Sequence, residues 1–514
     1  MESATSKGIV RLTYIGLAMS AIYLVYVIAF PLISNTQAGG PAADLEILMR
    51  GHRWLAPIYT LGILLLYYLF WKALQLARSM PGPGSTRDKG RTLVLAFGLL
   101  FGFTLVWLYP ITANDLFRYV LRGRIWAVYG DSPMLSPPND FLDDPYIAFA
   151  GEFGDWTSGY GPVWEMLVQV PLRLGATDMV PGAISLKLLV LLAYLLCAIL
   201  IGWFAAPGGA RAGPEQTSLA PLVFFAWNPL ILIQGPGNGH NDMISIALMV
   251  LGIVLWQRRL WWWATVALSL AVLVKITALL MIPLFGIVLL QRETTWRGRI
   301  LKGLVVALTG LVLFYLAYSA LGPVPDVFLG VTDMLTTRRG FALASGLRMI
   351  LREIIPRHVA ETLPRTTGRY IFLFFFVWFT VRLWRGKHNL VTAGFLVYFS
   401  QFILGRTFRI WYPMWLVPLA ALYLTPATLW RALLFGLAAE LSIVNYFVVW
   451  RWWLRDLSWG KLGPLRQYWN YWTIMHVLTV PWLFGIPLFG PVLVRWRERK
   501  ASPLIDIPPN DVIS

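Results

Sequence analysis

Runs of about twenty consecutive apolar residues recur along this 514-residue chain, and they limit its fold more than any other feature. A membrane-crossing helix needs roughly 20 such residues, with about 17 to 25 tolerated. By that measure, long segments lie near 12–33, 54–77, 92–111, 182–205, 300–321, 429–450 and 473–494. Shorter or abutting segments lie near 218–235, 242–256, 260–274, 276–290, 369–384, 390–404 and 410–425. Backbone polar groups in lipid must be satisfied within the segment, so these runs read as helices. The expected fold is all-α: a polytopic membrane bundle of about 12 to 14 transmembrane helices whose loops carry amphipathic helices.

Composition agrees. The chain is 58% apolar and 13% charged, against roughly 45–50% and about 25% for a soluble domain. A net charge of +18 on a soluble protein would point to nucleic acid. Here the cations lie between apolar segments, so membrane lipids are the expected partner and nucleic acid is not. The single cysteine, Cys197, sits in an apolar run and reads as packing. The first apolar segment follows Lys7 and Arg11, is too long for a signal-peptide core and reads as a retained helix.

Orientation follows from Lys and Arg in the short connections, which favour the cytoplasm. With the N-terminus inside, the basic groups Arg78 to Arg91, Arg258 and Arg259, Arg292 to Arg299, Arg382 to Lys387 and Arg495 to Lys500 all fall on the cytoplasmic side. The chain then reads as a multi-pass protein of the plasma (inner) membrane with both termini cytoplasmic. The opposite, extracytoplasmic side receives long loops near 112–181, 322–368 and 451–472, with small turns at 235–241 and 405–409. Residues 1–500 read as one membrane domain, and 501–514, with Pro503, Pro508 and Pro509, as a disordered cytoplasmic tail.

The first long loop opens with Thr112-Ala-Asn-Asp-Leu-Phe-Arg-Tyr, and residues 115–129 have a helical pattern that aligns Asp115, Arg118 and Arg122 on one face. Thr112 followed by Asp115 also fits a capping box, which is the plainer reading of that carboxylate. The same loop holds Asp131, Asp140, Asp143, Asp144, Glu152 and Asp155. The three near prolines read as turn residues. Tyr160-Gly161-Pro162 introduces an amphipathic segment, Val163 to Leu174, expected to lie in the interface.

These residues carry a resemblance. A span, then Asn114-Asp115-Leu-Phe-Arg118-Tyr, then Tyr160-Gly161-Pro162-Val-Trp, resembles the GT-C superfamily of polytopic glycosyltransferases. More narrowly it resembles bacterial polyprenol-phosphomannose-dependent alpha-1,6-mannosyltransferases and glycosyltransferase family 87 relatives. Asn228-Pro229, Gly237-Asn238-Gly239-His240-Asn241-Asp242 and Leu273-Val274-Lys275 with Pro283 are similar to runs those proteins show in the same order, over roughly residues 90–420.

The resemblance implies transfer of a hexose, mannose before others, from a polyprenyl-phosphate sugar to a hydroxyl of a glycolipid or glycan on the outer face, with inversion. It places Asp115 as the general base. The departing phosphate needs cations, for which Arg118, Arg122, His240, Lys275, Arg338, Arg339, Arg406 and Arg409 are candidates. For each arginine, snorkelling toward headgroups is the plainer alternative. Lys275 stands out because it interrupts apolar sequence. Asn114, Tyr160, Asn241 and Asp242 are candidates for acceptor or sugar contact. Asp115, His240 and Asp242 would suit Mg or Mn if they met, but no clean Asp-x-Asp stands at the loop head, so metal dependence is open. Two other readings share the spans and the outer cations: a transporter or flippase for a lipid-linked sugar, and an O-antigen ligase or polymerase.

Overall fold

The apolar runs fold as helices, and the places where they break are those where proline, glycine or a charge interrupts them. The computed structural model describes residues 2–37, 48–49, 52–80, 85–204, 218–329, 342–352, 354–445 and 471–501. Among these the architecture is all-α, and the only β pairing is a single antiparallel bridge between Pro31 and Leu108.

Among the described residues, six helices are long and apolar enough to cross a membrane: Ser6–Ala29, Leu55–Ser79, Lys89–Val106, Met179–Gly202, Trp296–Ser319 and His476–Leu493. Pro229–Gly237 and Asp242–Gln257 make a seventh if counted as one span, bent by 118° at the break. Several other expected crossings fold as shorter pieces such as Trp261–Val274, Ile276–Gln291 and Leu390–Leu404, while that near 369–384 forms the end of the longer helix Arg357–Trp384. Apolar content marks these segments, but Pro229, Pro236 and Lys275 cut them below spanning length. The candidate near 429–450 begins as helix Pro426–Ile443. Residues 446–470 and 502–514 lie outside the described residues, and with them most of the third long loop and nearly all of the tail.

Trp296–Ser319 buries only Ala317 and Tyr318, while Leu301, Leu308, Leu311 and Tyr315 stand exposed on it. A helix apolar on every side and unburied by protein is one that faces lipid.

Three sets of contacts fix where the first long loop leaves the bundle. Tyr109 N–H donates to Phe30 C=O at 2.8 Å and Leu32 N–H to Trp107 C=O at 2.9 Å, tying the exits of the first and third long helices together. Lys187, fully buried on Met179–Ile199, donates to the Leu105 carbonyl at 3.0 Å and to the Leu108 carbonyl. Those carbonyls lie at a helix C-terminus; the Leu105 carbonyl also accepts from Leu108 N–H at 3.1 Å, and the lysine adds a cationic donor to each.

The third set is a buried polar chain. Tyr26 hydroxyl donates to the Tyr59 carbonyl at 2.6 Å, and Tyr59 hydroxyl donates to Glu440 Oε2 at 3.1 Å. Gln234 Nε2 donates to Glu440 Oε1 at 2.7 Å, and Gln234 Oε1 accepts from Asn238 Nδ2 at 2.9 Å and Thr112 Oγ1 at 3.0 Å. Each of these groups is costly to bury alone, at roughly 1–3 kcal/mol apiece, and each is made tolerable by the next.

Candidate active site

The chain reaches the site from Thr112. Its hydroxyl is engaged by Gln234 and Asn238, and the N-cap of helix Asp115–Ala127 is Asn114, which makes no side-chain capping bond. The capping-box reading of Thr112 and Asp115 is therefore corrected: partners more than a hundred residues away claim the hydroxyl that local spacing assigns to the helix end. Asp115 is left at the first helical position with its carboxylate turned to other groups.

Those groups are two arginines and an imidazole. Arg118, one turn along the same face, forms an ion pair with Asp115, and its guanidinium lies 4.1 Å from the Phe153 ring centroid. His240 Nδ1 is 3.9 Å from Asp115 Oδ2. Burial alone would raise the Asp115 carboxyl, but Arg118, then His240 and Arg409, outweigh it and hold the group well below the usual carboxylate range. The side chain is buried with a small opening: 12% of it is exposed, against 18% for Arg118.

His240 lies in the break of the bent helix pair. Gly239 enters that turn with φ of 74°, a backbone region that favours glycine. The imidazole is fully buried and stacks on Trp411 at 4.0 Å and 26° between planes. Trp411 comes from the 405–411 turn, as does Arg409, whose guanidinium lies 6.0 Å from the same indole. Beside them, Lys275 pairs with the buried Asp242, which also accepts from Trp415 Nε1 at 2.8 Å. Asn241 Oδ1 accepts from Tyr119 hydroxyl at 3.4 Å.

Tyr160 closes the same neighbourhood, with Lys275 Nζ 5.8 Å and the Arg122 guanidinium 5.9 Å from its ring. The glycine after it makes this possible. Gly161 N–H donates to Val274 C=O at 3.1 Å, and a Cβ there would stand 1.9 Å from the Leu273 carbonyl oxygen. Gly161→Ala is expected to cost about 1–3 kcal/mol as the two backbones are forced apart. A melting curve of the detergent-solubilised protein measures it, and an unchanged midpoint would show that the seating is loose.

Of the residues singled out from sequence, Asp115, Arg118, His240 and Arg409 meet around one carboxylate, and Asn241, Asp242, Lys275 and Tyr160 form the adjoining wall. Arg122 donates to the Trp156 carbonyl at 3.3 Å, two turns from Asp115's end of the helix face. Asn114 is the N-cap, partly exposed, and Arg406 is exposed in the 405–411 turn. Arg338 and Arg339 lie outside the described residues. Asp144, read as a turn residue, accepts from Arg124 Nε at 2.9 Å and from Tyr129 hydroxyl at 3.0 Å.

Sequence reasoning missed Trp411, Thr112's true partners, and two buried acids, Glu440 and Glu165. Glu165 accepts from the Ser158 hydroxyl, and burial pushes its carboxyl up, with Ser158 and Arg122 drawing it only partly back. A signal for Glu440 existed: it interrupts apolar sequence as Lys275 does. Among the described residues, no three His, Cys, Asp or Glu side chains are grouped to hold a metal ion. Asp115 and Asp242, offered with His240 as donors for Mg or Mn, each carry a cation already, so the set does not fit a metal in this arrangement.

Fold and site together define a class: an all-helical, multi-pass membrane protein with a buried carboxylate, flanked by arginines and an imidazole, where the first long loop leaves the bundle. The chain belongs to the alpha-(1->6)-mannopyranosyltransferase family: residues 13–291 match the model described as "Alpha-(1->6)-mannopyranosyltransferase, N-terminal domain". It is 26% identical over 280 residues to alpha-(1->6)-mannopyranosyltransferase A of Mycobacterium tuberculosis, covering 52% of this chain and 51% of that protein. It is 23% identical over 464 residues to alpha-(1->6)-mannopyranosyltransferase B of Corynebacterium glutamicum, covering 82% of this chain and 73% of that protein. The match thus spans about half the length of the first relative.

Proposed function

We propose that this protein is a membrane glycosyltransferase that moves a hexose, mannose before others, from a polyprenyl phosphate to a hydroxyl of a glycolipid or glycan. The observation that carries the proposal is the ring of Arg118, His240 and Arg409 about Asp115 in a chain of this family. The acceptor oxygen attacks the anomeric carbon from the face opposite the phosphate, so the configuration inverts. The carbon–oxygen bond to phosphate breaks, the phosphate leaves with the electron pair, and the hydroxyl proton passes to Asp115.

The cations serve both ends of that step. An ion-paired carboxylate is a weak proton acceptor, and its strength grows when the phosphate draws Arg118 away from it. Arg118 and Arg409 then face the departing polyprenyl phosphate, a monoester for which a planar guanidinium offers paired donors. A groove lined by Leu343, Leu347, Leu351, Leu363, Ile371 and Leu404 suits the polyisoprenoid tail. Its lining includes Leu404, the residue before Gly405, where the turn bearing Arg409 begins. The basic short loops favour cytoplasmic termini in the plasma membrane and an extracytoplasmic site.

A second reading has one observation in its favour. Transporters bind substrate at broken helices, and the polar turn 238–241 sits in a helix pair bent by 118°. Membranes holding the protein, given labelled polyprenyl-phosphomannose and a glycolipid acceptor, separate the two. Label is expected on the acceptor. Label that crosses the bilayer still attached to its polyprenyl phosphate would establish the transporter, and no transfer from any of a panel of lipid-linked hexoses would overturn the enzyme.

A further inference from the structure

Polar atoms without partners gather in one place beside Asp115. In the fully buried His240, both ring nitrogens lack a hydrogen-bond partner, and so do Asn241 Nδ2 and Trp411 Nε1. Trp411 is 9% exposed. Trp415, four residues on and fully buried, shows the ordinary solution: its indole N–H is satisfied by Asp242. Buried donors and acceptors in proteins are nearly always paired, so a cluster of orphans implies a ligand that pairs them.

Their chemistry describes that ligand. Indole and amide N–H groups donate, and an imidazole both donates and accepts, a set suited to neutral hydroxyls that do both. A phosphate, which only accepts, is met by the guanidiniums of Arg118 and Arg409. Arg409 lies over the indole that stacks on His240, so the phosphate-facing group and the orphan nitrogens adjoin, as a phosphate and the sugar on it must.

We propose that Trp411, His240 and Asn241 form the subsite that reads the hydroxyls of the transferred hexose and sets which hexose is accepted. The inference rests on the transfer reading above. A hexose with a misplaced hydroxyl leaves one or more of these buried groups unpaired, and sites of this kind reject such analogues strongly.

The test compares polyprenyl-phosphomannose with polyprenyl-phosphoglucose, which differ in the configuration of one hydroxyl carbon. Trp411→Phe keeps an aromatic face against His240 and removes the N–H. The ratio of kcat/KM for the mannose donor over the glucose donor is expected to fall about tenfold or more in this variant. Trp415→Phe, which loses only the bond to Asp242, is expected to lower both donors alike. Asn241→Ala removes a second orphan donor and carries the same expectation if Trp411→Phe does not fold. Donor-induced thermal shifts read the same preference without catalysis. A wild-type protein that is stabilised more by the mannose donor, and loses that preference in Trp411→Phe, supports the subsite even if it transfers neither sugar, an outcome that overturns the transfer reading alone. An unchanged preference in both Trp411→Phe and Asn241→Ala overturns the subsite.

Discussion

Asp115→Asn is expected to lower kcat by about 10²–10⁴-fold, the range that a positioned general base contributes. Asparagine matches aspartate in shape and keeps a carbonyl oxygen toward Arg118, so the substitution removes the charge and the proton acceptor with little change in packing. The assay follows label moving from polyprenyl-phosphomannose to acceptor in membranes, with a melting curve to show that the variant folds. A folded Asp115→Asn with the parent's rate would end the assignment. The pH dependence gives an independent check. The Asp115 carboxyl is held down, burial opposing but Arg118, His240 and Arg409 prevailing. Its ionised form therefore persists as pH falls through the range where ordinary carboxylates protonate. The stability from its ion pair is likewise present above the unfolded carboxylate pKa and is lost only as pH falls through the depressed folded value. An acid limb in kcat/KM between about pH 5 and 7 would belong to another group.

Lys275→Met is expected to destabilise the fold by about 3–5 kcal/mol. The lysine forms an ion pair with Asp242, which is fully buried and held on its other oxygen by Trp415. Removing one member of a buried pair leaves an uncompensated charge, which costs far more than the pair itself contributes. The double variant Lys275→Met with Asp242→Asn removes both charges and is expected to recover most of the loss. Melting midpoints of the three proteins in one detergent measure this. If Lys275→Met melts with the parent, the lysine is free to serve a donor phosphate, the role its place in apolar sequence first suggested.

How much was legible before the structure depends on the range of the interaction. Asp115, Arg118 and Arg122 share a helical face because three- and four-residue spacing is a local rule, and the helix Asp115–Ala127 follows it. The amphipathic segment after Gly161 is helix Pro162–Arg173 for the same reason. Thr112 fails the local rule because its competitors are 122 and 126 residues away. Tyr59 meets Glu440 across a separation of 381 residues, which no pattern in the chain announces. Trp411 resembles any interfacial tryptophan until His240 is found against it. Segment lengths were ambiguous for a different reason. Apolar content says that a segment avoids water, whereas Pro236, Lys275 and their neighbours decide whether it crosses or turns back.

The buried chain from Tyr26 through Glu440 and Gln234 to Thr112 bears on how such a protein can be rebuilt. A designer wishing to graft the 112–181 loop onto a relative's bundle would treat it as a portable cassette, since its motifs are contiguous. It is not portable. The loop's first anchored residue is held by Gln234 and Asn238, Gln234 is held in turn by Glu440 from a distant helix, and Lys187 from another grips the carbonyls just before the loop. A chimera must carry these positions along with the loop, because the level at which Asp115 sits is set by the bundle.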